Sequence, residues 1–215
     1  MYHYVEDKDF LKQMKGECSN IINQLVQQIN RDGEMEVKAN LVGSGAKNLI
    51  TQNEHSPIDL DYNLEIIDSG SFNINNGTGI KEYVRKQFNI VLKANGWGDC
   101  QDSTSALTTE QRVFKKGNKT PYSIDLCIIA TGNDGWHRLI HEKTGFANTD
   151  RWFWNKGRNS EKLQQKIDWL KDNDFWLEVR KTYLEKKNMY LRRNDHNHSS
   201  FVVYIETINE VYNRH

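Results

Sequence analysis

Three aspartates have the residue types and spacing that could do chemistry. Asp59 and Asp61 lie in Ser56-Pro57-Ile58-Asp59-Leu60-Asp61, and Asp125 lies in Tyr122-Ser123-Ile124-Asp125-Leu126-Cys127-Ile128-Ile129. The first two alternate with Ile58, Leu60 and Tyr62 at the strand period, so both carboxylates project from one face of a strand. The third interrupts an apolar run, where an uncompensated carboxylate costs several kcal/mol. A bound cation is one such compensation, and clustered carboxylate oxygens suit a hard ion such as Mg²⁺. Upstream, Leu41-Val42-Gly43-Ser44-Gly45-Ala46-Lys47-Asn48 reads as the end of a strand, a tight turn at Gly43-Ser44 and, from Ala46 to Ile50, the opening of a helix. Free backbone N–H groups and the dipole at such a turn favour a phosphate, with Lys47 as an added cation. Taken singly, each feature has an ordinary counterpart: a Gly-Ser pair is usually only a turn, and an Asp-x-Asp pair is usually a solvated strand face.

Together and in this order they resemble the nucleotidyltransferase superfamily, the fold of polymerase beta. Its pattern is an apolar strand, Gly-Ser, a helix, Asp-x-Asp on the next strand and a third carboxylate on a later one. Many bacterial members read Gly-Ser-x-Ala-Arg-Gly with a Ser shortly before the Asp-x-Asp. This chain keeps Ala46 and Ser56, carries Lys47 where the Arg stands and has Asn48 in place of the second Gly. The resemblance covers roughly residues 36 to 130. It implies transfer of a nucleoside monophosphate from an NTP, such as ATP, to a hydroxyl acceptor with release of pyrophosphate. It further implies two Mg²⁺ ions on Asp59 and Asp61, with Asp125 completing the catalytic metal site and accepting the acceptor proton. Gly43, Ser44 and Lys47 would hold the phosphates, helped by a cation such as Lys187 from a helical part. The same resemblance leaves open a synthase of a nucleotide second messenger, a toxin-like protein or tRNA nucleotidyltransferase, and a non-catalytic nucleotide-binding module. Intact carboxylates speak against the last.

The elements that must position these residues are legible as an α+β arrangement. A mixed β-sheet core over residues 1–145 is flanked by helices, and residues 146–215 form a helical C-terminal part. Phe10, Met14, Cys18, Ile21, Leu25 and Ile29 recur at three and four residues, predicting an amphipathic helix from Asp9 to about Asn30, ended by Asp32-Gly33. Strands are expected at Val37–Val42 and from Ile58 to about Ile67. The polar stretch 51–56 is read as a bend and 68–78 as a loop. A helix follows from Gly79 to Ala94, stopped by Gly96. A strand is expected near 103–109, and 112–115 and 122–129 are expected to form a hairpin about the 116–121 turn. Another turn at 132–135 precedes a strand at 136–141. In the C-terminal part, Trp152, Trp154, Trp169 and Trp176 are expected as core. Helices are expected to start at Ser160 as N-cap, near Asp174, and at Ser199. The basic pairs Arg180-Lys181, Lys186-Lys187 and Arg192-Arg193 read as a solvated helix face, or as cations reaching a triphosphate.

The 215 residues suffice for one substantial domain or a core with an appendage. With 29 basic and 29 acidic residues, a long nucleic acid is disfavoured as substrate. Cys18, Cys100 and Cys127 are scattered, indicating neither a disulfide framework nor a zinc site, and His196 with His198 lacks a third ligand nearby. The N-terminus does not read as a signal peptide, and no apolar run approaches the ~20 residues of a membrane span. A cytoplasmic protein without membrane partners is expected.

Overall fold

The strand that carries Asp59 and Asp61 shows how the fold is assembled. In β4 (Ile58–Asp68), Ile58, Leu60, Tyr62, Leu64 and Ile66 are buried on one face, while Asp59, Asp61, Asn63 and Glu65 alternate with them on the other. Period-two burial of this kind sets the register, because a slip by one residue would bury the carboxylates instead. The computed structural model describes residues 1–146, 148–157, 161–195 and 198–215, so Ser160 and His196 lie outside the described residues.

The chain divides into two compact units. The larger, Asp7–Asn48 with Pro57–Gly157, holds a mixed sheet in the order β2 (Glu36–Leu41), β4, β7 (Tyr122–Gly132), β6 (Leu107–Thr108), β5 (Gln101–Asp102). Strands β4 and β7 are parallel and the other pairings antiparallel. The far half of β7 pairs instead with β8 (Gly135–Glu142), which pairs with β9 (Arg151–Lys156). Helices α1 (Lys8–Asp32) and α3 (Gly77–Ala94) supply the apolar layer. Asp7 caps α1 by accepting the Phe10 N–H at 2.9 Å, and Gly33 closes it in the left-handed conformation at φ +78. Seven apolar residues of α1, from Phe10 to Ile29, are buried, as are Ile80, Val84, Phe88, Val91 and Leu92 of α3. Truncating a fully buried residue of this layer, such as Leu60 or Leu64, is expected to cost about 2–5 kcal/mol.

The smaller unit joins Met1–Glu6, Leu49–Ser56 and the C-terminal stretch from position 158. Here β1 (Tyr2–Tyr4) pairs antiparallel with β3 (Thr51–Asn53). The Asn188 side chain closes on Tyr2, accepting its N–H at 2.7 Å and donating to its carbonyl at 2.9 Å. Helices α4 (Glu161–Asp172), α5 (Trp176–Arg192) and α6 (Ser200–Arg214) bury Leu170, Val179, Tyr183, Ile208 and Val211 together with Leu49, and Trp169 and Trp176 pack around that cluster. Ser199 caps α6 through the Val202 N–H.

Several expectations are corrected. Residues 51–53 form a strand rather than a bend, and α3 begins two residues earlier than expected, capped by Asn76. The stretch 103–109 is not one strand: β5 and β6 flank a turn closed by Ser103 N–H to Ala106 O at 2.9 Å. Residues 112–115 do not form a hairpin arm, since only Arg112 bridges Tyr122, and β6 takes the place beside Asp125. Trp152 and Trp154 lie on β9, an edge strand, not in a helical core. Among the described residues no helix is long and apolar enough to cross a membrane.

Candidate active site

In the parallel pairing of β4 and β7, Asp59 stands opposite Ser123 and Asp61 opposite Asp125. Register partners share a face, so three carboxylates lie side by side on the face away from Leu60 and Ile124. The Ser123 hydroxyl donates to Asp59 Oδ1. From the other side of β7, Thr108 is the cross-strand partner of Asp125 and donates its hydroxyl to Asp125 Oδ1 at 2.6 Å. None of the three aspartates makes an ion pair among the described residues.

Their surroundings resist the charge. Burial and then the neighbouring charges of Asp125 and Asp59 push the Asp61 carboxyl up to about 6, against opposing effects of Arg138 and Lys47. Burial also raises Asp125; the Thr108 hydrogen bond works against this and the Asp59 charge adds to it. Among the described residues no three acidic, histidine or cysteine side chains converge into a ready ligand set. In chemistry the donor set fits a hard divalent cation: oxygen only, concentrated, and, among the described residues, with no basic partner in contact.

The Gly43-Ser44 turn is part of the same structure. Val42 N–H donates to Asp61 O at 2.8 Å, tying the turn to β4. Gly43 has φ +62, and a β-carbon there would stand 2.3 Å from Asp61 Oδ2. Glycine is therefore favoured twice, by the left-handed backbone and by the carboxylate against it. Gly43 and Ser44 open α2 (Gly43–Lys47), a helix that starts and ends earlier than expected. Asn48 ends it in the left-handed conformation at φ +55. Asn is the commonest non-glycine residue there, so Asn48 supplies what a second glycine would. Lys47 donates to Gly43 O at 3.3 Å, and Lys15 of α1 braces the short helix through Gly45 O at 2.7 Å.

Gly43, Ser44, Lys47, Asp59, Asp61 and Asp125 thus all belong to the larger unit. Lys187 belongs to the smaller one, where its ammonium donates to Thr51 Oγ1 at 3.0 Å and lies 3.9 Å from the centre of the Tyr2 ring. Burial pushes Lys187 down to about 8.

Two further residues on the carboxylate face were not singled out from sequence. Arg138 of β8 pairs with Ile129, four residues beyond Asp125, and its Nε is buried without a hydrogen-bond partner. Asn63, two residues beyond Asp61, likewise buries an unpartnered Oδ1. A lone cation and a lone amide on two strands carry no motif; only the sheet order brings them to the aspartates.

No protein-family model and no curated protein matches the sequence. Solved structures match the fold. The CdnE cyclic dinucleotide synthase of Elizabethkingia meningoseptica, solved with GTP and Apcpp, aligns over 91% of this chain and 69% of its own at 12% identity, TM-score 0.54. CdnC of E. coli MS115-1, solved with ATP, aligns over 94% and 61% at 13% identity, TM-score 0.56. The DncV cyclic AMP-GMP synthase of Vibrio cholerae, in complex with a linear intermediate, aligns over 82% and 45% at 16% identity, TM-score 0.52. The chain spans between about half and two thirds of the length of these proteins. The chain shares its fold with these three proteins.

Proposed function

We propose that the chain is a divalent-cation-dependent nucleotidyltransferase that moves a nucleoside monophosphate from an NTP to a hydroxyl acceptor and releases pyrophosphate. The observation that carries this reading is the in-register placement of Asp61 beside Asp125, with Asp59 on the same face and Gly43 packed against the Asp61 carboxylate.

Asp59 and Asp61 would hold two Mg²⁺ ions, with Asp125 completing the site of one. Bound there, such ions would supply positive charge against the phosphoryl oxygens and make the attacking hydroxyl easier to deprotonate. Asp125 has one carboxylate oxygen held by Thr108, which leaves the other to meet the acceptor hydroxyl and take its proton. Ser44 and the backbone at Gly43 hold the terminal phosphates, with Lys47 adding positive charge. No covalent enzyme intermediate is needed. The fold neighbours are cyclic dinucleotide synthases, and this supports a reading in which the acceptor hydroxyl belongs to a second nucleotide.

The test is incubation of the pure protein with each of the four NTPs, singly and in pairs, with Mg²⁺ or Mn²⁺, followed by chromatography and pyrophosphate detection. Linear or cyclic dinucleotides would identify a nucleotide acceptor, whereas pyrophosphate release only on adding another hydroxyl compound would identify a different one. Failure of every NTP to bind in the presence of either ion would refute the transferase reading.

A further inference from the structure

We infer that Thr108 is a positioning residue for Asp125, and that Ser103 and the buried Lys81 hold Thr108 in place. The inference rests on the transferase reading for its kinetic consequence, and on geometry alone for its structural one.

Thr108 has one hydroxyl proton and gives it to Asp125 Oδ1 at 2.6 Å. Its oxygen lies 3.0 Å from Ser103 Oγ, so in that pair Ser103 must be the donor. The chain is directed: Ser103 to Thr108 to Asp125. Ser103 is itself anchored. Its N–H donates to Ala106 O at 2.9 Å, and its carbonyl accepts Lys81 Nζ at 2.7 Å. Lys81 is 2% exposed and forms an ion pair with Asp102 at 2.5 Å. Asp102 meets His141 Nδ1 at 2.7 Å, and His141 Nε2 meets Asp150 at 2.9 Å.

A series of charged and polar contacts therefore runs from Asp150, through His141, Asp102 and Lys81 of α3, to the hydroxyl that fixes one oxygen of Asp125. A two-residue strand such as β6 has few ladder bonds of its own with which to hold a side chain in place. The buried Lys81 supplies the rigidity. Outer partners of ligating carboxylates typically matter by 10–100-fold in metal affinity or activity.

The experiment compares wild type with Thr108→Val and Thr108→Ser in the full chain, by steady-state kinetics with the preferred NTP and by crystal structures. Thr108→Val should lower kcat by about 10–100-fold. KM for the NTP should stay within about twofold, as expected when a transition-state interaction alone is lost. Thr108→Ser should restore most of the rate, and the Asp125 carboxylate should leave its wild-type rotamer in the Val structure only. Wild-type kcat in Thr108→Val, an unmoved Asp125, or failure of Ser to rescue would overturn the inference. If wild type turns over no NTP, the transferase reading fails while the crystal comparison still decides whether Thr108 positions Asp125.

Discussion

Asp102 and Asp150 on one side, and Asp61 and Asp125 on the other, are acidic pairs of the same unit set in opposite surroundings. Burial works against the Asp102 charge, but Lys81 and His141 outweigh it and hold the carboxyl below its usual range. Asp150 is lowered by the Thr144 N–H and then by His141. Asp61 and Asp125 are raised, and neither has a basic partner in contact among the described residues. The first cluster is complete in itself, a network of buried charge that fixes strands. The second is held together by backbone while its charges repel, which is the condition of a site built for something that arrives later.

The contrast can be broken most severely at the second cluster. Asp59→Asn or Asp61→Asn should reduce nucleotidyl transfer about a thousand-fold or more, roughly 4 kcal/mol of transition-state stabilisation, without unfolding the chain. Full turnover in either variant would remove the metal reading. The next effect belongs to the first cluster. Lys81→Ala leaves Asp102 buried and short of its main partner, and should lower unfolding free energy by about 3 kcal/mol in denaturant titrations. An unchanged midpoint would mean that the network contributes no net rigidity.

Smaller changes sharpen the comparison. Ser44→Ala should weaken NTP binding by roughly 1–2 kcal/mol, the value of a hydrogen bond to a charged group. Lys47→Ala should act similarly, and more strongly at low salt. Isothermal titration at two ionic strengths checks both, and unaltered affinities would detach the turn from the phosphates.

The last effect is on stability alone. The Asp61 carboxyl sits at about 6 in the folded chain against an ordinary 3.8, so the folded state holds its proton more tightly. Stability therefore falls as pH rises between those values, and the deficit is complete above about 6. Cation-free Asp61→Asn should be more stable than wild type at pH 7.5, by up to about 3 kcal/mol, with little difference at pH 3.5. Mg²⁺ should raise the wild-type melting temperature at pH 7.5 more than at pH 5. The reverse ordering would mean that Asp61 is not under strain from its neighbours.

Much of the larger unit was legible because its elements are long and periodic. The three-and-four spacing of α1, the alternation of β4 and the apolar run of β7 each encode burial on one face. Asp125 stood out because it interrupts the apolar run, and Asp59 and Asp61 because they alternate on one face upstream of it. Short strands did not. β1 and β3 have three residues each, β5 and β6 two, and their pairing is set by partners far along the chain rather than by local pattern. For the same reason no local signal joins Met1–Glu6 and Leu49–Ser56 to the C-terminal helices. Tryptophans at 152 and 154 read as core by composition, yet Trp154 Nε1 donates to Ile74 O at 2.8 Å and Trp152 stacks on His141. Thr108 was invisible as a site residue, since a threonine in a strand is ordinary until its cross-strand neighbour is known.

The contact between Gly43 and Asp61 Oδ2 makes two letters of the sequence, eighteen positions apart, into a single spelling. While position 61 carries an aspartate, any side chain at position 43 must push its carboxylate aside. Gly43→Ala would displace the carboxylate, so its phenotype should copy a lesion at Asp61. A descendant that had abandoned catalysis and replaced Asp61 with glycine or serine would regain a free choice at position 43 among residues able to reach φ +62, asparagine first. Drift at position 43 would then serve as a marker, readable from sequence alone, of lineages in which the acidic site has fallen out of use.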